Sequence, residues 1–193
     1  MAPALLVLFL VAGWRIVTLY VPVLSNFSPV MALAFCAGAY GRGRWMRLAP
    51  FAGLVLSDLY IDRYYASVYH YGWDVPSALL RIACFGAALG LGLAVASRRN
   101  WVTLLGGALG GSLLFYVVTN TASWFSDAGY ARSAAGWWQA LTVGHPQYAP
   151  TLFFFRNSLV SDLLFTAGFA LAVEYGRMRR GDPSLLGLKQ VGR

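Results

Sequence analysis

Five ionisable side chains interrupt otherwise apolar runs: Arg15, Asp58, Arg81, Arg156 and Asp162. A charge inside a membrane-length apolar segment is costly, so each is a candidate for ligand binding or for pairing within a helix bundle. Steps of four place Ser112, Tyr116 and Asn120 on one helical face, with Thr119 and Ser123 beside them. Asn157, Ser158, Ser161, Asp162 and Thr166 make a second polar stripe, and Arg81 shares a face with Cys84 three residues on. Stripes of this kind cannot face lipid without penalty and should look into the bundle. Two uses compete for them. Interhelical hydrogen bonds, averaging about 0.6 kcal/mol each, serve assembly alone. The other use is a polar pocket open to one side, with Arg81, Arg156 and Asp58 supplying charge, Asn120 and Asn157 hydrogen bonds, and Trp124 a stacking face.

Other chemistries find little support. His70 and His145 lack metal-ligand spacing, and no Ser-His-Asp arrangement is compatible with the spacing. The run Gly106 to Ser112 lacks the Lys and the preceding strand of a phosphate loop. Cys36 and Cys84 both lie in apolar runs, so no disulfide framework is implied.

The elements that carry these residues are membrane helices. Of 193 residues, 59% are hydrophobic and 11% charged, against about 25% charged in soluble domains. Mean hydropathy is +0.59. This composition excludes a secreted disulfide scaffold, a disordered regulator and a conventional cytosolic enzyme. We expect an all-α integral membrane protein with six spans: 3–20, 29–41, 47–61, 76–96, 101 to about 120, and 151 to about 175. The first has no basic leader and no small-residue cleavage site, so a retained helix is expected and not a signal peptide. Pro29 suits a first helical position and Pro50 the first turn of the third span.

The basic residues set the orientation. Arg42, Arg44 and Arg47, then Arg98 and Arg99, then Arg177, Arg179, Arg180, Lys189 and Arg193 all fall on one side of a six-span chain. By the positive-inside rule that side is the cytoplasm, and both termini lie there. The net charge of +8 is thereby explained without nucleic acid. Residues 1–176 form a single transmembrane domain and 177–193 a basic cytoplasmic tail. On this topology all five charges fall in the outer half of the membrane, none in the inner.

The outer segments are aromatic: Tyr60, Tyr64, Tyr65, Tyr69, Tyr71 and Trp73 after the third span, and Trp124, Phe125, Tyr130, Trp137, Trp138 and Tyr148 after the fifth. An interfacial belt explains most such rings. Residues Ser133 to Val143 read as a short interfacial helix with Trp137, Trp138 and Leu141 on its apolar side; belt and lid both remain open. Small-xxx-small steps at Gly86/Gly90, Gly106/Gly110 and Gly107/Gly111 suggest close packing of the fourth and fifth spans.

The stretch Asn26-Phe27-Ser28-Pro29-Val30-Met31-Ala32-Leu33 with Gly38-Ala39-Tyr40 resembles the opening of a family of small bacterial membrane proteins. That family is related to the substrate-binding (S) components of energy-coupling-factor vitamin transporters. Leu56-Ser57-Asp58, Val118-Thr119-Asn120 with Trp124, and Phe154-Phe155-Arg156-Asn157 with Asp162 fit in order, from residue 26 to about 170. The resemblance implies a six-helix fold in the bacterial cytoplasmic (inner) membrane, with an outward pocket for a vitamin-type small molecule. Some relatives look like solitary cobalamin transporters, and Cys84 is then the candidate cobalt ligand. The first span lacks the Ala-xxx-Ala step by which many S components dock an energy-coupling module; Ala34/Gly38 and Ala37/Gly41 in the second are its nearest equivalents. Two other functions stay open: a non-transporting accessory subunit contacting other membrane subunits, and a membrane enzyme using His70, His145 or Cys84.

Overall fold

The computed structural model describes residues 2–70 and 74–186. Tyr71, Trp73, Lys189 and Arg193 lie outside them. Seven α-helices follow one another, and no strand occurs among the described residues: α1 (Ala2–Leu19), α2 (Val30–Tyr40), α3 (Arg44–Tyr69), α4 (Val75–Val95), α5 (Trp101–Ser126), α6 (Ala134–Leu141) and α7 (Thr151–Arg179).

Local chemistry sets the boundaries. Asp74 accepts the Ser77 amide and begins α4, with Pro76 beside it in the first turn. Asn100 and Thr103 form a reciprocal capping box at α5, and Ser133 accepts from Gly136 at α6. Arg177 and Arg179 occupy the last turn of α7, where positive charge meets the negative end of the helix dipole.

Among the described residues three helices, α4, α5 and α7, are long and apolar enough to cross a membrane. Their 21, 26 and 29 residues give lengths of about 31, 39 and 44 Å. α2 differs in kind. Its 11 residues reach only about 16 Å, and every residue from Val30 to Ala39 is buried. It is a core helix enclosed chiefly by α4 and α7, with α3 and α5 completing the wall. α1 packs along α3, and the outward faces of both carry large apolar side chains such as Leu6, Phe9, Leu56 and Leu59.

Several boundaries differ from the sequence expectation. α3 continues eight residues past 61, because Tyr60 and Tyr64 pack on Tyr20: the Tyr20 and Tyr60 hydroxyls are 2.7 Å apart, and the Tyr20 and Tyr64 rings meet edge-on at 5.6 Å. α3 also begins earlier, at Arg44, so Pro50 sits inside it and not in its first turn. α5 runs on to Ser126 and absorbs Trp124. α7 reaches Arg179, and residues 184–185 fold back onto it, so the expected tail begins within the bundle.

The tightest glycine contact is α2 with α4; α4 and α5 also pack, with Gly111 facing Ala88, while Gly107 faces Phe35 of α2. A Cβ on Gly38 would strike the Leu89 carbonyl and lie 2.8 Å from the Leu93 nitrogen; one on Gly92 would strike the Phe35 carbonyl. Gly86, Gly90, Gly106 and Gly110 have open space where a Cβ would stand.

Arginines 42, 44, 47, 98, 99, 177, 179 and 180 gather at one end of the bundle, where Arg99 donates to the Ala39 carbonyl at 2.6 Å and lies over the Tyr40 ring. The opposite end carries the polar site.

Candidate functional site

Asp58, on α3, stands between two arginines from different helices. Its Oδ1 is 2.7 Å from Nη2 of Arg15 on α1, and its Oδ2 is 3.3 Å from Nη2 of Arg81 on α4. Arg15 is fully engaged: its Nη1 also donates to Ser57 Oγ at 2.7 Å and to the Leu54 carbonyl at 3.2 Å. Arg81 is not. Its Nε is buried with no hydrogen-bond partner.

Beneath this triad lies a cavity of about 140 Å³, lined by Arg15, Arg81, Ser28, Met31, Ser112 and Asp162 among others. Its floor is the α5–α7 contact, where Ser112 donates to the Asp162 carboxyl. Asp162, 3% exposed, also faces the Ala32 backbone N–H at the start of α2. Pro29 offers that helix end no side-chain cap, so a carboxylate from α7 supplies the acceptor and meets the positive end of the dipole.

The segment between α1 and α2 closes one wall and is tied to α7. Asn157 Nδ2 donates to the carbonyls of Val23 and Ser25, both at 3.0 Å, and Ser158 donates to Asn26. Ser161 exchanges hydrogen bonds with the Ser28 backbone at 3.2 Å. Trp14 and Phe27 each pack edge-on to Phe165 behind it and lie tilted to one another.

Arg81 also lines a second, open space of about 1,050 Å³, with Asp62, Asp74, Ser77, Asp127, His145 and Tyr148 around it. The two spaces therefore share a wall residue, with the smaller one deeper in the bundle. α6 lies between two segments that line this space, 126–128 and 145–148. It is held to α5 by the Tyr116 hydroxyl, which donates to the Leu141 carbonyl, and by Trp137 Nε1 donating to Thr121 at 2.9 Å. Gly136, Ala140 and Leu141 form its buried face, whereas Trp138, expected on the apolar side, points outward at 63% exposed.

A family model covers almost all of this architecture. The chain belongs to the family of unknown function DUF6580, which matches residues 1–183. No curated protein and no solved structure matches it.

In this DUF6580 chain, three of the sequence-predicted site residues converge: Asp58, Arg81 and Asp162. Five do not join them. Asn157 is occupied with the α1–α2 segment. Asn120 donates to the Tyr116 carbonyl of its own helix and Trp124 to the Ala131 carbonyl, so both satisfy local backbone. Arg156 is exposed, over the Phe153 ring at 4.6 Å. Cys84, 3% exposed, belongs to the hydrophobic core, as does Cys36. Among the described residues no group of His, Cys, Asp and Glu is placed to hold a metal ion.

Two features were missed. Ser28 contributes a buried hydroxyl without a partner to the cavity wall, which its place in a Ser-Pro step does not reveal. Glu174 is 1% exposed at the arginine-rich end of the bundle, so buried charge is not confined to one half of the molecule.

Proposed function

We propose that this protein is a membrane-embedded substrate-binding protein that admits a small molecule from the outer side of the bacterial cytoplasmic membrane and mediates its uptake. The observation carrying this reading is the nested pair of spaces. A vestibule at the upper end of the usual 300–1,000 Å³ range for ligand sites adjoins a smaller, mostly apolar chamber that carries a few polar groups, and Arg81 lines both. Arg81 Nε and Ser28 Oγ have no hydrogen-bond partner in the protein, as is also true of Tyr40 Oη and Thr166 Oγ1 outside the cavity.

In the same reading α1 to α5 and α7 pass the chain six times between the two faces, α2 doing so inside the protein. The arginine-rich end then faces the cytoplasm with both termini. Reporter fusions after Arg42, Arg98 and the last residue should all report the cytoplasmic side, and one in the 127–132 loop the opposite side. A mixed pattern overturns the orientation.

Cobalamin is the specific substrate suggested by resemblance. Its ligation by Cys84 requires the thiol to leave the core, because α4 packs that face against α2 and α5. A cobalamin spectrum unchanged by the detergent-purified protein rejects this ligand; a shift lost in Cys84→Ala establishes it.

A second reading, an accessory or module-docked subunit, draws on a separate observation. Gly86 and Gly90 on α4, with Gly106 and Gly110 on α5, leave open space along helix exteriors that a partner helix fits. Stable co-purification with an energy-coupling module or other membrane subunits, lost in Gly86→Leu, supports docking.

A further inference from the structure

The unsatisfied groups around the inner cavity have one chemical character. Arg81 Nε is a buried donor without an acceptor. The backbone N–H groups of Val30 and Met31, the first two residues of α2, donate no hydrogen bond within the protein, and both residues line the cavity. Ser28 Oγ is likewise unpartnered there. The acceptors, by contrast, are in use: both oxygens of Asp58 on the arginines, and the Asp162 carboxyl on Ser112 and the start of α2.

Charge points the same way. Two guanidiniums share one Asp58 carboxylate, which leaves one positive charge over. Asp162 is offset in part where it stands, by the Ser112 hydroxyl and by a helix end worth roughly half a positive charge, so the group as a whole keeps a surplus of roughly half a charge. The surplus falls on Arg81, which lines the cavity and whose planar guanidinium suits a two-oxygen acceptor once the side chain turns its Nε edge to it.

From these observations we propose that the inner cavity binds the carboxylate of a small organic acid, with Arg81 as the principal contact. This rests on the substrate-binding reading above and names its chemical class. Size limits the group: about 140 Å³ is close to the roughly 150 Å³ of an engineered cavity that takes benzene, so the chamber holds a short acid or the acidic end of a longer molecule extending into the vestibule. A phosphate brings up to two negative charges where at most one is matched.

The test is thermal unfolding of the full-length, detergent-solubilised protein with matched probes: propionate against propionamide, benzoate against benzamide, and inorganic phosphate. The acids should raise the midpoint, the amides and phosphate should not, and Arg81→Lys should weaken the acids about tenfold or more, the loss expected for one charge-assisted hydrogen bond. Arg81→Lys keeps the charge beside Asp58, and an unliganded midpoint near wild type shows that it folds. Amides equal to acids, or a response to phosphate alone, overturn the acid while leaving the pocket intact. Small molecules released from the protein as purified provide the second arm. A retained molecule without a carboxylate also ends the acid proposal but keeps the binding reading; no response to any probe and no retained molecule ends both.

Discussion

Arg15 and Asp58 meet at 2.7 Å between α1 and α3, with 17% and 14% of their side chains exposed. A half-buried ion pair of this kind contributes little net stability while intact, yet removing one partner strands the other. Asp58 serves two cations, so Asp58→Asn should be the most damaging change in the triad, by about 3–5 kcal/mol. Arg15→Gln should cost less and Arg81→Gln least, since Arg81 makes the longer of the two contacts. Denaturation of the three variants in one detergent gives the order, and an Asp58→Asn protein as stable as wild type removes the triad from any account of the bundle.

The glycines make a prediction with its own control. Gly38 and Gly92 hold α2 and α4 at backbone contact, and a methyl on either meets a carbonyl that cannot move without moving its helix. Overpacking of this kind costs about 1–3 kcal/mol or more. Gly86→Ala and Gly110→Ala meet nothing and should be neutral, or gain up to about 1 kcal/mol in helix propensity. Equal losses at all four positions would mean that α4 and α5 pack more closely than the structure has them.

Asn157 tests whether a predicted binding residue is instead a fastener. Its amide reaches the carbonyls of Val23 and Ser25 across more than 130 residues of chain. Asn157→Ala leaves two acceptors unpaired, at about 1–3 kcal/mol for each that stays buried. Hydrogen exchange should therefore quicken in residues 21–28 while α5 and α6 stay protected. Unchanged exchange there would return Asn157 to the ligand.

How far the sequence reaches is visible in these same residues. Asp58, Arg81 and Asp162 stood out because a charge in an apolar run needs a reason, and that reason survives in the structure. The helix starts at Trp101 and Thr151 were equally readable from where the apolar runs begin. Asn157 and Asn120 were readable only as polar; which acceptor an amide meets depends on how the chain between α1 and α2 folds, and nothing local encodes it. α3 outran its expected end because Asp62 and Arg63 lower the hydropathy, whereas its true support is the packing of Tyr60 and Tyr64 on Tyr20. Gly38 and Gly92 look no different in sequence from Gly86 and Gly90. Glu174 escaped notice because Arg177 one turn later makes it resemble an ordinary interfacial pair.

That resemblance fails in space. Glu174 Oε1 lies 3.7 Å from Arg177 Nη1, at the limit of an ion pair, while Oε2 accepts the Leu185 backbone N–H at 2.8 Å and the Glu174 carbonyl accepts from Ser184 Oγ at 2.8 Å. The carboxylate thus folds the segment after α7 back under the bundle, where Leu185 packs against the core. Glu174→Ala removes the acceptor and should release residues 184–186, with faster exchange at the Leu185 amide and a loss of about 1–3 kcal/mol. Glu174→Gln keeps a neutral oxygen for that amide and should lose less. Truncation after Arg180 strands the carboxylate and should destabilise at least as much as the Glu174→Ala change. If Leu185 exchanges alike in wild type and Glu174→Ala, the fold-back is held by the Leu185 side chain alone, and Glu174 has no part in it.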